Sequence, residues 1–218
     1  MLHWTTRVLG MDCDNRPIPL PHDPGLRLRP QQFDTVTPLE FEGVRPLPSG
    51  STLTLGVCNG EVHILSAPGL ESVKVSVRLG KPLNRERTPL NYMRRFTAVG
   101  NEAEILWKLP EETHPVIDIY VPLNTNLNLQ LGKAKLEVKS VRGNKQISVG
   151  KGTARLYVTD EPQEYSRITV NVAMGSFSDL RPGGTENHQV PLHREFSGTG
   201  SATVDLQVAM GKAEISLE

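Results

Sequence analysis

The sequence predicts an all-β fold, built as a β-solenoid or, alternatively, as an antiparallel β-sandwich or meander, and three observations carry that expectation. Apolar and polar residues alternate on both sides of Gly60, Gly132, Gly152, Gly175 and Gly211, which is the period of a pleated strand with one buried and one wet face. The parity of that alternation changes at each of these glycines. The pattern also repeats by position: five residues before the glycine stand Leu55, Leu127, Ile147, Val170 and Leu206, and three before it Val57, Leu129, Val149, Val172 and Val208. Two residues after it come Val62, Ala134, Ala154, Phe177 and Ala213, and four after it Ile64, Leu136, Leu156, Asp179 and Ile215, so Asp179 is the one polar exception. Helical spacing fits none of the copies.

The chain divides into an extended proline-rich arm, residues 1–32, and one β domain, residues 33–218. Trp4, Thr6 and Val8 alternate over too short a run to define more than a marginal strand. Pro17, Pro19, Pro21, Pro24 and Pro30 then fix φ and remove amide donors, which favours an extended strap over helix or central strand. From Phe41 to Leu47, Leu53 to Val57 and Val73 to Leu79 the residues read as strands. Between Gly80 and Thr97 the alternation breaks, and Thr88-Pro89 supplies a cap and a first-turn proline for a short helix over LNYMRRF. Ala103, Ile105 and Trp107, then Ile117, Ile119 and Val121, resume the strand pattern, and Pro122 closes it. The remaining copies follow at glycine spacings of 20, 23 and 36 residues, the last enlarged by the loop Arg181 to Ser201.

The parity change admits two geometries. In a two-residue hairpin Leu131 faces Ala134 and Leu129 faces Leu136, and Asn59-Gly60 is a strong hairpin signal. In a solenoid the glycine marks a corner, and copies about 20 residues apart stack at about 4.8 Å. Similarity of both arms from copy to copy favours stacking, because stacked layers must match and sandwich strands need not. The final copy runs to Leu217 and Glu218 without a polar cap, so an exposed solenoid end needs a cover, from the proline strap, another subunit or further residues, with a homo-oligomer favoured.

The units LNLQLGKAKLEV, ISVGKGTARLYV, ITVNVAMGSFSDL and VDLQVAMGKAEISL, preceded by IDIYVPLNTNLNL with its Val121-Pro122 pair, resemble the bacterial putative-adhesin domain of unknown function, the DUF4097 type. The resemblance spans Phe41 to Glu218. It implies a right-handed single-stranded β-helix with a non-catalytic adhesive or scaffolding role in the cell envelope.

The 24 basic and 24 acidic residues balance, so no global field favours nucleic acid or an anionic membrane. Cys13 and Cys58 suffice for one disulfide or remain two free thiols. No apolar run approaches the roughly 20 residues that span a bilayer, and the N-terminus lacks a signal-peptide core, so as written the chain reads as cytoplasmic where the resemblance suggests the envelope.

Chemical motifs are sparse. Gly143 with Gly150-Lys151-Gly152-Thr153 has neither the spacing nor the following helix of a phosphate loop, and Gly198-Thr199-Gly200 is an incomplete dinucleotide fingerprint. No Gly-x-Ser-x-Gly elbow occurs, and no catalytic residue or cofactor is expected. Glu186, His188 and His193 are zinc-type ligands without helical spacing, and Asp12 and Asp14 lack a calcium loop; both sets read as ordinary exposed residues. Arg85, Arg87, Arg94 and Arg95 with Tyr92 and Phe96 read as a helix end rather than a nucleic-acid patch. Lys133, Lys135, Arg155 and Lys212, flanked by Glu137 and Glu214, fall on outward positions and form the candidate ligand face, suited to an anionic glycan or another envelope component. The alternative function is a polysaccharide-active β-helix lyase or hydrolase, which needs a pair of carboxylates in different environments.

Overall fold

The computed structural model describes residues 7–8, 11–13, 35–37, 39–82, 87–158, 164–188 and 190–218. Most of the proline arm, together with Trp4, Thr6, Asp14 and Arg85, lies outside the described residues. The described chain is all-β and contains no α-helix.

Five long strands form the body: β5 (Thr52–Ser66), β10 (Asn126–Lys139), β11 (Lys145–Val158), β12 (Tyr165–Asp179) and β15 (Ala202–Leu217). They pair in parallel in the order β5-β10-β11-β15-β12. Each of the glycines that mark the parity change therefore lies inside a continuous strand, not at a hairpin tip. The strand bends there, so that Leu53, Leu55 and Val57 on its first arm and Val62 and Ile64 on its second all reach one core. At the bend, Gly60, Gly152, Gly175 and Gly211 take φ between 135° and 139°, a region that side chains disfavour. Their backbones also meet: a Cβ added to Gly211 would overlap the carbonyl oxygen of Gly152.

Two details of the strand pairing differ from the sequence-based expectation. Ala134, rather than Gly132, registers with Gly60 and Gly152, so Leu129, not Leu127, lies opposite Leu55 and Ile147. A slip of two residues preserves every inward and outward position, which is why alternation could not reveal it. The last strand is also not an edge of the sheet. β15 sits between β11 and β12 and is hydrogen-bonded along both edges, so the chain-final strand is interior to the sheet rather than at its edge.

The outer edge of β12 carries β14 (Leu192–Ser197) on its first arm and β13 (Glu186–Asn187) on its second, both antiparallel. At the opposite side β5 is extended along both arms. β8 (Glu102–Trp107) pairs in parallel with its first arm and carries β7 (Met93–Val99) antiparallel. β9 (Pro115–Val121) pairs in parallel with the second arm and leads through antiparallel β6 (Ser72–Leu79) to β4 (Glu40–Pro46) and β3 (Thr35–Val36). Phe41 and Trp107 meet edge to face there at 5.0 Å, and the indole N–H donates to the Pro89 carbonyl at 3.0 Å. The helix expected over LNYMRRF shrinks to one 3-10 turn at Pro89–Tyr92, in which Asn91 accepts from the Thr88 amide at 2.7 Å. Met93 onward joins β7 because Phe96 gains more from burial beside Phe41 than a short exposed helix could supply.

β1 (Arg7–Val8) and β2 (Met11–Asp12) form a separate antiparallel pair, and Cys13, next in the chain, is disulfide-bonded to Cys58 at the bend of β5. The two thiols left open by the sequence are thus joined, fastening the N-terminal segment to the body.

Candidate functional site

On the second arms, outward residues fall into rows that cross the strands. One row runs through Asp118 of β9, His63 of β5, Glu137 of β10, Arg155 of β11, Glu214 of β15 and Ser178 of β12. Two residues further along each strand, Tyr120, Leu65, Lys139, Tyr157 and Ser216 form the next row. Parallel in-register pairing builds such rows, because equal positions on successive strands lie about 4.8 Å apart.

The four basic residues of the candidate ligand face all lie on or beside this surface, and each has an acidic partner. Lys133, at the bend, is paired with Glu111, and Lys135 is 2.6 Å from Glu61 and 3.7 Å from Glu137. Arg155 meets Glu214 at 2.6 Å, and Lys212 meets the same carboxylate at 2.8 Å and Glu186 at 3.9 Å. The hydrogen bond from Lys135 holds the Glu61 carboxyl below its usual range, and Glu61 in turn raises the Lys135 ammonium. Burial would raise the Glu214 carboxyl, but Arg155 and Lys212 outweigh it and bring it below the ordinary value. The Arg155 guanidinium is pushed up, chiefly by Glu214. Alternating charge therefore replaces the basic stripe, and an anionic ligand would have to compete with carboxylates already in place.

A shallow cavity of about 270 Å³ opens where β9, β5 and β10 meet, lined by both rows at His63, Leu65, Asp118, Tyr120, Glu137 and Lys139. His63 is its centre: Nδ1 lies 2.7 Å from Asp118 and Nε2 3.1 Å from Glu61. Arg78 of β6 donates to the other Asp118 oxygen at 2.8 Å, and Lys139 lies 3.4 Å from Glu137 and over the Tyr157 ring at 4.4 Å. Glu61 and Asp118 sit on opposite ring nitrogens, so they do not converge on one point. Among the described residues no group of three or more His, Cys, Asp or Glu side chains is placed to hold a metal.

The other sequence candidates do not assemble. Glu186 lies 3.7 Å from His188, whereas His193 sits on β14 and bonds Asn171 at 2.8 Å. Tyr92 and Phe96 are buried, so they offer no stacking surface beside Arg87, Arg94 and Arg95; Arg95 pairs with Glu104, and Arg87 donates to the Tyr92 hydroxyl at 3.3 Å. A second cavity, about 320 Å³, lies on the first-arm side among Thr54, Thr97, Val99 and Glu102. The His63 cluster escaped sequence reading because β9 and β5 are joined only by the fold: His63 and Asp118 are 55 residues apart. Their outward parity, in Val-His-Ile and Ile-Asp-Ile-Tyr, was the one available signal.

Buried Lys145 was likewise unforeseen. It occupies an inward position of β11 and donates to the Gly143 carbonyl at 2.9 Å and to the Tyr165 hydroxyl at 2.8 Å. Burial lowers the ammonium to about 8, only partly opposed by Glu164, and burial also drives the Tyr165 hydroxyl upward.

No family model matches the chain. Among curated proteins it is similar to UvrABC system protein B of Thermotoga petrophila and of Thermotoga maritima, each 28% identical over 72 residues, a stretch that is 33% of this chain. That stretch spans only 11% of the length of those relatives. Among solved structures it is similar to a "putative cell adhesion protein" from Clostridium sporogenes ATCC 15579, at 13% identity and TM-score 0.45, covering 84% of this chain and 100% of the other. A "putative adhesin" from Parabacteroides merdae ATCC 43184 aligns at 8% identity and TM-score 0.25, over 82% of this chain and 78% of the other.

Proposed function

We propose that this chain is a non-enzymatic, adhesin-like or scaffolding module of the cell envelope that binds through the outer face of its stacked strands. The reading takes the five bent strands as rungs of a β-solenoid, right-handed as parallel crossovers generally are, with the chain-final rung inserted between two earlier ones. The observation that carries it is the registered second-arm face: parallel strands place polar residues side by side in rows, neighbours joined by cross-strand ion pairs such as Lys135–Glu61 and Arg155–Glu214. Such a face is built for extended contact. The Cys13–Cys58 disulfide supports an oxidising, extracytoplasmic setting.

The polysaccharide-cleaving alternative would draw its acid and base from Asp118 and Glu137. Both already have basic partners: Asp118 accepts from Arg78 and lies 2.7 Å from His63 Nδ1, and Glu137 faces Lys135 and Lys139. Glycoside cleavage uses two carboxyls in unlike surroundings, whereas these two have the same kind, each beside basic side chains. The test is retention of the purified, disulfide-intact chain on arrays of neutral and anionic glycans and on bacterial cell walls, with the eluate assayed for reducing ends. Retention without sugar release is expected. Failure to bind any of these surfaces, or release of reducing ends, would overturn the reading.

A further inference from the structure

We propose that the groove over β9, β5 and β10 is a binding site for a neutral saccharide unit. The inference rests on the outer-face reading above and names the site and ligand class within it.

The groove has two unlike sides. Tyr120, which is 41% exposed, and Leu65 form an apolar wall that ends at Lys139 in the same row, and about 7 Å away by the rise of two residues Asp118, His63 and Glu137 form a hydrogen-bonding side. A pyranose ring has the same division, with C–H groups on its faces and hydroxyls round its edge. An aromatic or aliphatic wall takes the first, and carboxylate and imidazole take the second. Across the strands the groove spans two spacings, about 10 Å, so its cavity of about 270 Å³ suits one sugar ring or two.

The polar side is held ready. Each Asp118 oxygen already accepts one bond, from His63 or Arg78, and each Glu137 oxygen faces one lysine, yet a carboxylate has about four lone-pair positions and can accept from hydroxyls as well. Because the cations fix these side chains, a sugar would not have to order them on binding. Charge argues for neutrality. The carboxylates of Glu61, Asp118 and Glu137 face Arg78, Lys135 and Lys139, three against three, so neither sign of ligand gains a strong field.

The experiment is calorimetric titration of the full disulfide-bonded chain with tetrasaccharides of cellulose, xylan, β-mannan, starch and chitin, with sialyllactose and a heparin tetrasaccharide as anionic comparators. At least one neutral oligosaccharide is expected to bind at millimolar concentration or better, and Tyr120→Ala to weaken it about tenfold. Glu137→Gln keeps the shape and removes the charged acceptor, so it should weaken binding several-fold, whereas Lys151→Ser at the bend should leave it unchanged. Thermal melts of each variant show that the fold is retained. Absence of binding by every neutral sugar, preference for an anionic comparator, or binding indifferent to both groove variants overturns the proposal. Retention on cell walls by a chain that binds no neutral sugar would sink this inference and spare the module reading; loss of all retention would sink both.

Discussion

Glycine substitutions at three positive-φ positions separate backbone strain from close approach at the bend. Gly69 has φ of 73° and open space around it; Gly60 has φ of 139° and places an added Cβ 2.9 Å from the Pro115 carbonyl oxygen; Gly211 has φ of 138° and places it inside the Gly152 backbone. Conformational strain alone costs about 1–2 kcal/mol for alanine in the left-handed region and about 1–3 kcal/mol in the more extended positive-φ region. Gly69→Ala should therefore cost about 1 kcal/mol. Gly60→Ala carries the larger strain and places its Cβ 2.9 Å from the Pro115 backbone carbonyl, so β9 must shift slightly and about 2–3 kcal/mol is expected. Gly211→Ala requires β15 and β11 to part at their bend while both are hydrogen-bonded on either side of it, and about 4 kcal/mol or more is expected, a large fraction of the 5–15 kcal/mol that holds a domain together. Equilibrium unfolding in guanidinium, read by far-ultraviolet circular dichroism, gives the three values. If Gly211→Ala costs no more than Gly60→Ala, at nearly equal φ, the tight stacking of backbones at the bend is not what requires glycine there.

Other expectations follow from the same geometry. Reducing the Cys13–Cys58 bond, or replacing Cys13 by Ser, opens a closure of 45 residues and should lower stability by up to about 4 kcal/mol on the chain-entropy estimate, measured as the shift in denaturation midpoint. The Lys145 ammonium sits at about 8 when folded and 10.5 when unfolded, so the unfolded state holds more protons between those values and stability should rise with pH there, by at most about 3 kcal/mol. Tyr165 acts oppositely, since its hydroxyl is raised by burial and the unfolded chain ionises first above pH 10; a Lys145→Met variant should lack the rise between pH 8 and 10 while keeping the later fall. Deleting residues 202–218 removes the strand that joins β11 to β12 and the buried Val204, Leu206, Val208 and Ile215, so cooperative unfolding should vanish; a cooperative melt of the truncated chain would contradict the central placement of β15.

Much of this protein was legible from its residues. Alternation at Leu53, Leu55, Val57, Val62 and Ile64 settled strand identity, the buried face and the change of side at the bend, because the pleat has a period of two and burial favours apolar side chains. Local pattern says nothing about which strand lies beside which. The two-residue slip at Ala134, the insertion of β15 between β11 and β12, and the meeting of His63 with Asp118 were decided by tertiary pairing, since strands of equal polarity pattern can dock in several orders with the same side chains buried. The outward basic residues show the division most plainly. Their exposure was readable at Lys135, Arg155 and Lys212, but their pairing with Glu61 and Glu214 came from neighbours across the sheet, and those neighbours turned a stripe of charge into a lattice of ion pairs.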